Sequence, residues 1–379
     1  MTVPSSSRRA EVDRKIARLG ELARESGYGG ILLTTHWNVA WATAGGSNRI
    51  DVSRETGAGG LFVTVDERRY VLANAIEMPR LQDEALAGLD FQPVEFPWVD
   101  ERADPGMVSA RAAALAGGAV AADAVVPGTT WCEPSIARLR AHFEPEELTR
   151  LRCLGGDVGR VCGDALRRVP AGVSEAEVTR EVGAALTRAG MTPLVLLAAG
   201  DSRLLHYRHP IPTEQVWHDR LMVAVCAERD GLIVALSRLL SARPPAEPFA
   251  ARLSAAQGVF TSLLDASVEG ASAPSLYRVA DEAYAARGFA GEIAKHHQGG
   301  AIGYRSREWI AHPASSERVS PAAALAWNPS VAGTKVEDTC LVTSSGVEVI
   351  TASPGWPVST ATAQGRTIRL HDPLVLDPD

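Results

Sequence analysis

The side chains of this chain that could do chemistry are histidines and charged residues in a few short segments. Two of these segments carry paired histidines, residues 205–212 (LHYRHPIP) and residues 296–304 (HHQGGAIGY). Charged residues follow at Arg307, Glu308, Lys335 and Glu337. Histidine transfers protons near neutral pH, and arginine or lysine binds carboxylates. The residue types therefore predict acid-base chemistry on an anionic substrate.

Lys335 and Glu337 are two residues apart, which places them on one face of a strand. A carboxylate in a pocket requires a cationic partner or a proton, and Lys335 is the obvious partner. A metal site at His209, His296 and His297 is not expected, because adjacent residues of a regular strand cannot both face one point. The sequence predicts an ion pair at Glu337 and no bound metal.

Residues 221–238 read LMVAVCAERDGLIVALSR and predict a β-hairpin. Two apolar runs, 221–227 and 232–236, flank an Asp-Gly turn, which supplies the positive φ of a tight turn. Ala224 and Ala235 should then share a face, directly opposite or diagonally adjacent. Two carboxylates at these positions would hold a cation together, whereas two methyl groups cannot.

The motifs resemble those of the pita-bread metallopeptidases, the family of methionine aminopeptidase, aminopeptidase P and prolidase. In that family the two hairpin positions are aspartates, and HGTGHGIG, a glutamate before proline and a final glutamate supply the other ligands. The corresponding residues here are Ala224, Ala235, Gly300, Asn328 and Glu337, so one of five ligands remains. Creatinase, which works on this scaffold without metal, is the family member that the chain resembles in function.

The resemblance implies roles for individual residues. In creatinase-like enzymes a histidine upstream of the first aspartate position handles the proton. Spacing slightly favours His206, whereas residues 209–212 (HPIP) resemble the HxxP string of prolidase and favour His209, with His206 as a pocket wall or partner. The catalytic residues implied are His209, Glu337, Glu308 and His296. Substrate-binding residues implied are His206, Arg208, His297, Gln298, Tyr304, Arg307, Trp327, Asn328 and Lys335.

Loss of three acidic ligands beside retained basic residues should reverse the charge preference of the pocket. The resulting hypothesis is a metal-independent, creatinase-like hydrolase that cleaves a C–N bond of a small carboxylate-bearing substrate, without a cofactor. Three alternatives remain, one of which is a peptidase with an atypical metal. The chain could be a non-catalytic pita-bread binding protein, or an acid-base enzyme of the same scaffold that performs elimination or isomerisation.

The fold class expected from the resemblance is α+β. A C-terminal pita-bread (creatinase/methionine aminopeptidase-like) domain at residues 145–379 should follow a smaller α/β creatinase-type domain at residues 1–144. The pattern supports this division, because loop-like residues near 143–146 precede a long helix at about 146–168. Ser174 and Glu177 then form a capping-box pattern for the next helix.

Composition excludes several classes of protein. The 379 residues carry a net charge of -7, with a pI of about 5.8, which argues against a nucleic-acid partner. The sequence has no apolar run of membrane-spanning length and no secretion signal, so a cytoplasmic location without membrane contact is expected. Five cysteines without CxxC spacing predict free thiols. A homodimer is expected from the resemblance alone.

Overall fold

The computed structural model describes residues 5–376 and consists of two compact units, Met1–Glu144 and Pro145–Asp379. Each unit has its own sheet and its own buried core. No helix within residues 5–376 is both long enough and apolar enough to cross a membrane.

The N-terminal unit is built on one mixed six-stranded sheet in the order β4-β3-β2-β1-β5-β6. Its helices are α1 (Ser5–Glu25), α2 (His36–Ala42), α3 (Met78–Arg80), α4 (Trp98–Ala103), α5 (Met107–Ala116) and α6 (Glu133–Arg140), with a π-helical turn at Leu81–Ala85. Its strands are β1 (Gly30–Thr35), β2 (Thr56–Thr64), β3 (Arg69–Asn74), β4 (Gln92–Phe96), β5 (Val120–Ala122) and β6 (Thr130–Trp131). Helix followed by buried strand is the α/β pattern that the sequence predicts here.

The C-terminal unit begins with two helices that lead into a four-stranded sheet. These elements are α7 (Pro145–Leu166), α8 (Glu175–Arg188), β7 (Thr192–Gly200), α9 (Asp201–His206), β8 (Arg220–Arg229) and β9 (Leu232–Ser241). The Ser174 side chain accepts a hydrogen bond from the Glu177 N–H at 3.1 Å and caps α8. Strand β9 is buried along its whole length, which explains why it reads as a nearly continuous apolar run.

The remaining elements of this unit supply a second sheet and short ribbons. They are α10 (Phe249–Ala266), α11 (Ala273–Ala285), a 3-10 turn (Glu292–Lys295), β10 (Gly299–Ala301), β11 (Trp309–Ile310), β12 (Ala323–Trp327), β13 (Ser330–Val331), β14 (Thr334–Lys335), β15 (Asp338–Thr343), β16 (Gly346–Val349), β17 (Val358–Ala363), β18 (Arg366–His371) and β19 (Leu374–Val375). The sheets run β19-β9-β8-β7 and β11-β10-β12-β15-β16. A bridge between Ser237 and Glu337 joins them at the hairpin.

A buried charge network fastens β9 to β15 beside this bridge. The Arg238 guanidinium donates to Asp338 Oδ1 at 3.0 Å, and His371 Nδ1 lies 3.0 Å from Asp338 Oδ2. Burial raises the pKa of Asp338, but the charges of Arg238 and His371 outweigh burial, and the pKa is lowered overall. Asp338 is therefore ionised in the folded protein, and its buried charge depends on Arg238.

We predict that Arg238→Met lowers the free energy of unfolding by about 3–5 kcal/mol, because it leaves the Asp338 carboxylate buried without its guanidinium. Chemical denaturation measures this change. The matched control is Arg152→Met, which breaks an exposed ion pair with Glu348 (2.9 Å) and should cost less than about 1 kcal/mol. Equal losses for the two variants would contradict this account of the network.

Candidate active site

The hairpin β8–β9 has the geometry that its sequence predicts. Asp230 and Gly231 form the turn with φ values of 54° and 79°. Ala224 pairs with Ser237, and Cys226 pairs with Ala235. Ala224 and Ala235 are thus diagonal neighbours on one face, where they offer no ligand atom to a cation.

A cavity of about 300 Å³ lies against this face of the C-terminal unit. Its apolar wall comes from β7 and β8: Val195, Leu197, Ala224, Val225 and Cys226. Its polar wall comes from loops and from the segment around β14: His209, His297, Ser306, Arg307, Asn328, Lys335 and Glu337. The sequence predicted a catalytic or substrate-binding role for six of these seven polar residues. Ser306 is the one that it did not predict.

Glu337 is the most tightly bound charge of the cavity. Its carboxylate lies 2.7 Å from Lys335 Nζ and 3.1 Å from Arg307 Nη2, and it accepts a hydrogen bond from Ser237 Oγ at 2.6 Å. Burial raises the pKa of Glu337, yet the charges of Lys335 and Arg307 and the hydrogen bonds lower it to about 2. The expected Lys335–Glu337 ion pair is present, and the carboxylate is ionised at neutral pH.

Three buried polar atoms on the cavity wall have no hydrogen-bond partner within residues 5–376: His297 Nδ1, Arg307 Nε and Asn328 Oδ1. Buried polar atoms are nearly always paired, and each unpaired one costs about 1–3 kcal/mol. All three face one cavity, where a bound molecule or water could pair with them.

Three imidazoles meet at the edge of the cavity. His296 Nε2 lies 3.1 Å from His209 Nε2, and the ring centroids of His296 and His297 are 4.8 Å apart. Burial, followed by the charge of Lys335, lowers the pKa of His209 and lowers that of His296 to about 2. Burial and the charge of Arg307 lower the pKa of His297 to about 4. All three rings are therefore neutral at pH 7.

This convergence corrects the expectation that His296 and His297 cannot face one point. One nitrogen from each of His209, His296 and His297 lies within 4.8 Å of the others. The expectation assumed a regular strand, but the 3-10 turn ends at Lys295 and β10 starts only at Gly299. The intervening residues have no strict alternation of side chains.

The metal positions implied by the family do not suit a metal in this chain. Ala224, Ala235 and Gly300 offer no donor atom, and a Cβ at Gly300 would stand 2.1 Å from the Trp309 carbonyl oxygen, so the backbone itself excludes a side chain there. The Glu337 carboxylate already forms ion pairs with Arg307 and Lys335. The three imidazoles lie within the fields of Lys335 and Arg307, which disfavour a divalent cation.

Several residues predicted to bind substrate lie outside the cavity wall. His206 is exposed at the end of α9, with Nδ1 2.7 Å from the Ser202 carbonyl oxygen. Arg208 instead pairs with Glu292 at 2.5 Å. Gln298 is buried and accepts a hydrogen bond from Tyr284 at 2.7 Å. Proximity in sequence to a motif does not fix where a side chain points.

Three further residues for which the sequence predicted a role in the site make core or loop contacts instead. Trp327 is fully buried in the core, and its Nε1 donates to Ser267 Oγ at 2.9 Å. The Tyr304 hydroxyl donates to Glu147 at 2.6 Å. Glu308 is not on the cavity wall, and its carboxylate accepts the backbone N–H of Tyr304 at 3.1 Å, which shapes a loop. We therefore assign these three residues structural contacts.

Sequence reasoning missed Ser237, Cys226, Ser306 and Ser330. The alternation of the hairpin contained the signal for the first two, because Ser237 lies two residues from Ala235 and Cys226 two residues from Ala224. Ser330 contacts His296 Nδ1 at 3.0 Å. No motif pointed to it, since its contact is made across 34 residues of chain.

We predict that Lys335→Met raises the pKa values of His209, His296 and His297, because the lysine charge lowers all three. Titration of the imidazole signals by NMR measures this. The control is Arg243→Met, which removes an exposed cation paired with Asp219 and should leave the three titrations unchanged. Unchanged pKa values in Lys335→Met would contradict the electrostatics described here.

Comparison with known proteins supports the fold. No protein-family model matches the sequence, and no curated protein matches it. Among solved structures, dipeptidase PepE from Mycobacterium ulcerans has a TM-score of 0.77 at 18% identity, over 97% of this chain and 98% of that chain. The prolidase from Pyrococcus horikoshii has a TM-score of 0.76 at 16% identity, over 90% and 98%.

The N-terminal domain of the FACT complex subunit SPT16 from chickpea, Cicer arietinum, has a TM-score of 0.68 at 10% identity, over 93% of this chain and 97% of that chain. The resemblance to these structures extends over nearly the full length of each. This chain therefore has the same fold as these structures, the pita-bread fold that its sequence predicts.

Proposed function

We propose that this chain is an enzyme that hydrolyses a C–N bond of a small carboxylate-bearing substrate by side-chain acid-base catalysis, without a catalytic metal. The observation that carries the proposal is the cavity with its three unpartnered buried atoms, at His297, Arg307 and Asn328. A ligand that supplies their partners would remove the cost of leaving them unpaired.

The charges of the cavity favour an anion. Lys335 and Arg307 carry two positive charges against the single negative charge of Glu337, and the neighbouring imidazoles are neutral. Arg307 still has Nε available, since Nη1 donates to the Ser306 carbonyl and Nη2 to Glu337. Guanidinium groups bind carboxylates through charge-assisted hydrogen bonds. Asn328 Oδ1 is an acceptor and suits an N–H group of the same substrate.

Proton transfer in this site falls to the imidazoles that line the cavity, His209 and His297. A neutral imidazole removes a proton from water as the water oxygen attacks the carbon of the C–N bond. The resulting imidazolium returns that proton to the leaving nitrogen. Solved structures with this fold include a dipeptidase and a prolidase, whose names denote peptide hydrolysis, and this supports the choice of reaction.

Glu337 suits an orienting role rather than that of a base. Its pKa of about 2 makes it a weak proton acceptor, and two cations and the Ser237 hydroxyl already occupy its oxygens. It holds the Arg307 and Lys335 head groups in place at the cavity wall. A substrate carboxylate would meet two cations whose positions are set in advance.

The alternative of a non-catalytic binding protein has a structural counterpart, because the FACT subunit domain shares the fold. The cavity argues against it, since a site without chemistry would be free to fill with apolar side chains. Elimination or isomerisation would use the same acid-base groups, and product analysis separates these reactions from hydrolysis.

We further propose a cytoplasmic location, which the five free cysteines support because free thiols are typical of reducing compartments. A homodimer stays a prediction from the family resemblance.

The test is calorimetric binding of N-acylated amino acids and of the matching amides that lack the free carboxylate. We predict that the carboxylates bind and the amides do not. Arg307→Met should weaken carboxylate binding about 10- to 100-fold, the loss of one charge-assisted hydrogen bond worth about 1.5–3 kcal/mol. The control, Arg318→Met, replaces an exposed arginine that donates to the Gly270 carbonyl. Equal affinity for acids and amides would refute the proposed substrate class.

A further inference from the structure

Ser330 connects a cationic side chain to the imidazoles of the site. Arg208 Nη1 donates to Ser330 Oγ at 3.1 Å, and the same oxygen lies 3.0 Å from His296 Nδ1. His296 Nε2 in turn lies 3.1 Å from His209 Nε2. These contacts form a continuous chain from Arg208 to the ring of His209, which lines the cavity.

The hydrogen bonds that fix Arg208 lie outside the cavity. Its Nη2 donates to Glu292 Oε2 at 2.5 Å, and Lys295 donates to Glu292 Oε1 at 2.7 Å. The backbone of Ser330 is held by Tyr284, whose hydroxyl accepts the Ser330 N–H at 2.9 Å. The start of the chain is therefore anchored independently of any ligand.

The direction of each hydrogen bond follows from counting donors. Arginine has only donors, so the Ser330 oxygen must accept from Arg208. The Ser330 hydroxyl proton then has one partner within residues 5–376, His296 Nδ1. If His296 Nδ1 carried a proton instead, the hydroxyl proton of a residue that is only 2% exposed would have no acceptor.

We propose that Ser330, oriented by Arg208, is a positioning residue that fixes His296 with its proton on Nε2 and thereby makes His209 accept at Nε2. A neutral His209 then carries its proton on Nδ1. The ring of His209 therefore serves the cavity as a hydrogen-bond donor and not as the base. His297, whose Nδ1 is unpartnered, becomes the proton acceptor of the site.

This division of roles rests on the proposed function, but the arrangement of protons does not. As a donor, His209 can stabilise negative charge that develops on the substrate when water attacks. As an acceptor, His297 can take the proton of that water. The sequence favoured His209 for proton transfer, whereas the chain of contacts assigns this role to His297.

The test is nitrogen-15 NMR of histidine-labelled protein near neutral pH without any ligand, with signals assigned by single His→Asn variants. The proposal predicts that His296 is protonated at Nε2 and His209 at Nδ1. Ser330→Ala should abolish the single tautomer of His296, so that its two ring nitrogens give averaged signals. A wild-type His296 protonated at Nδ1 would overturn the proposal, even if Ser330→Ala failed to fold.

The control is Ser345→Ala, which removes an exposed hydroxyl paired with Thr343 and should leave the His296 and His209 signals unchanged. Failure of carboxylate binding would refute the proposed function without affecting the tautomers. The wrong tautomers would refute the role of Ser330 without affecting carboxylate binding. The two proposals can therefore fail separately.

Discussion

The site depends on one buried interaction, the carboxylate of Glu337 held between Lys335 and Arg307. A buried carboxylate without a partner is strongly unfavourable, and removing one partner of such a pair typically costs about 3–5 kcal/mol. A cavity that holds an ionised carboxylate needs a source of positive charge. Here two side chains supply it, and a single acidic residue is enough to hold them.

The ion pairs of Glu337 also bear on the other residues of the cavity. Beside these permanent cations, the alanines at 224 and 235 and the glycine at 300 offer no donor atom to a divalent ion at those three positions. The close packing of Gly300 against the Trp309 carbonyl leaves no room for a side chain at that position. Burial, helped by the same cations, lowers the pKa of the nearby imidazoles and keeps them neutral, which is the form in which histidine accepts protons.

Local patterns predicted much of this arrangement. The hairpin, its Asp-Gly turn, the diagonal alanines and the Lys335–Glu337 pair all follow from the period of a β-strand. The sequence did not predict correctly which side chains near the motifs point into the cavity. Trp327 and Asn328 are neighbours in sequence, but Asn328 lines the cavity while Trp327 is buried in the core. The meeting of His209, His296 and Ser330 depends on contacts across 34 and 87 residues, which no local pattern encodes.

Calorimetric titration with Mn²⁺, of the wild type and of Glu337→Gln in parallel, tests most directly whether side-chain cations have replaced the metal. If Lys335 and Arg307 already neutralise the Glu337 carboxylate and disfavour a cation at the imidazoles, neither protein should show saturable binding of the ion. Stoichiometric binding to the wild type that Glu337→Gln abolishes would contradict the account.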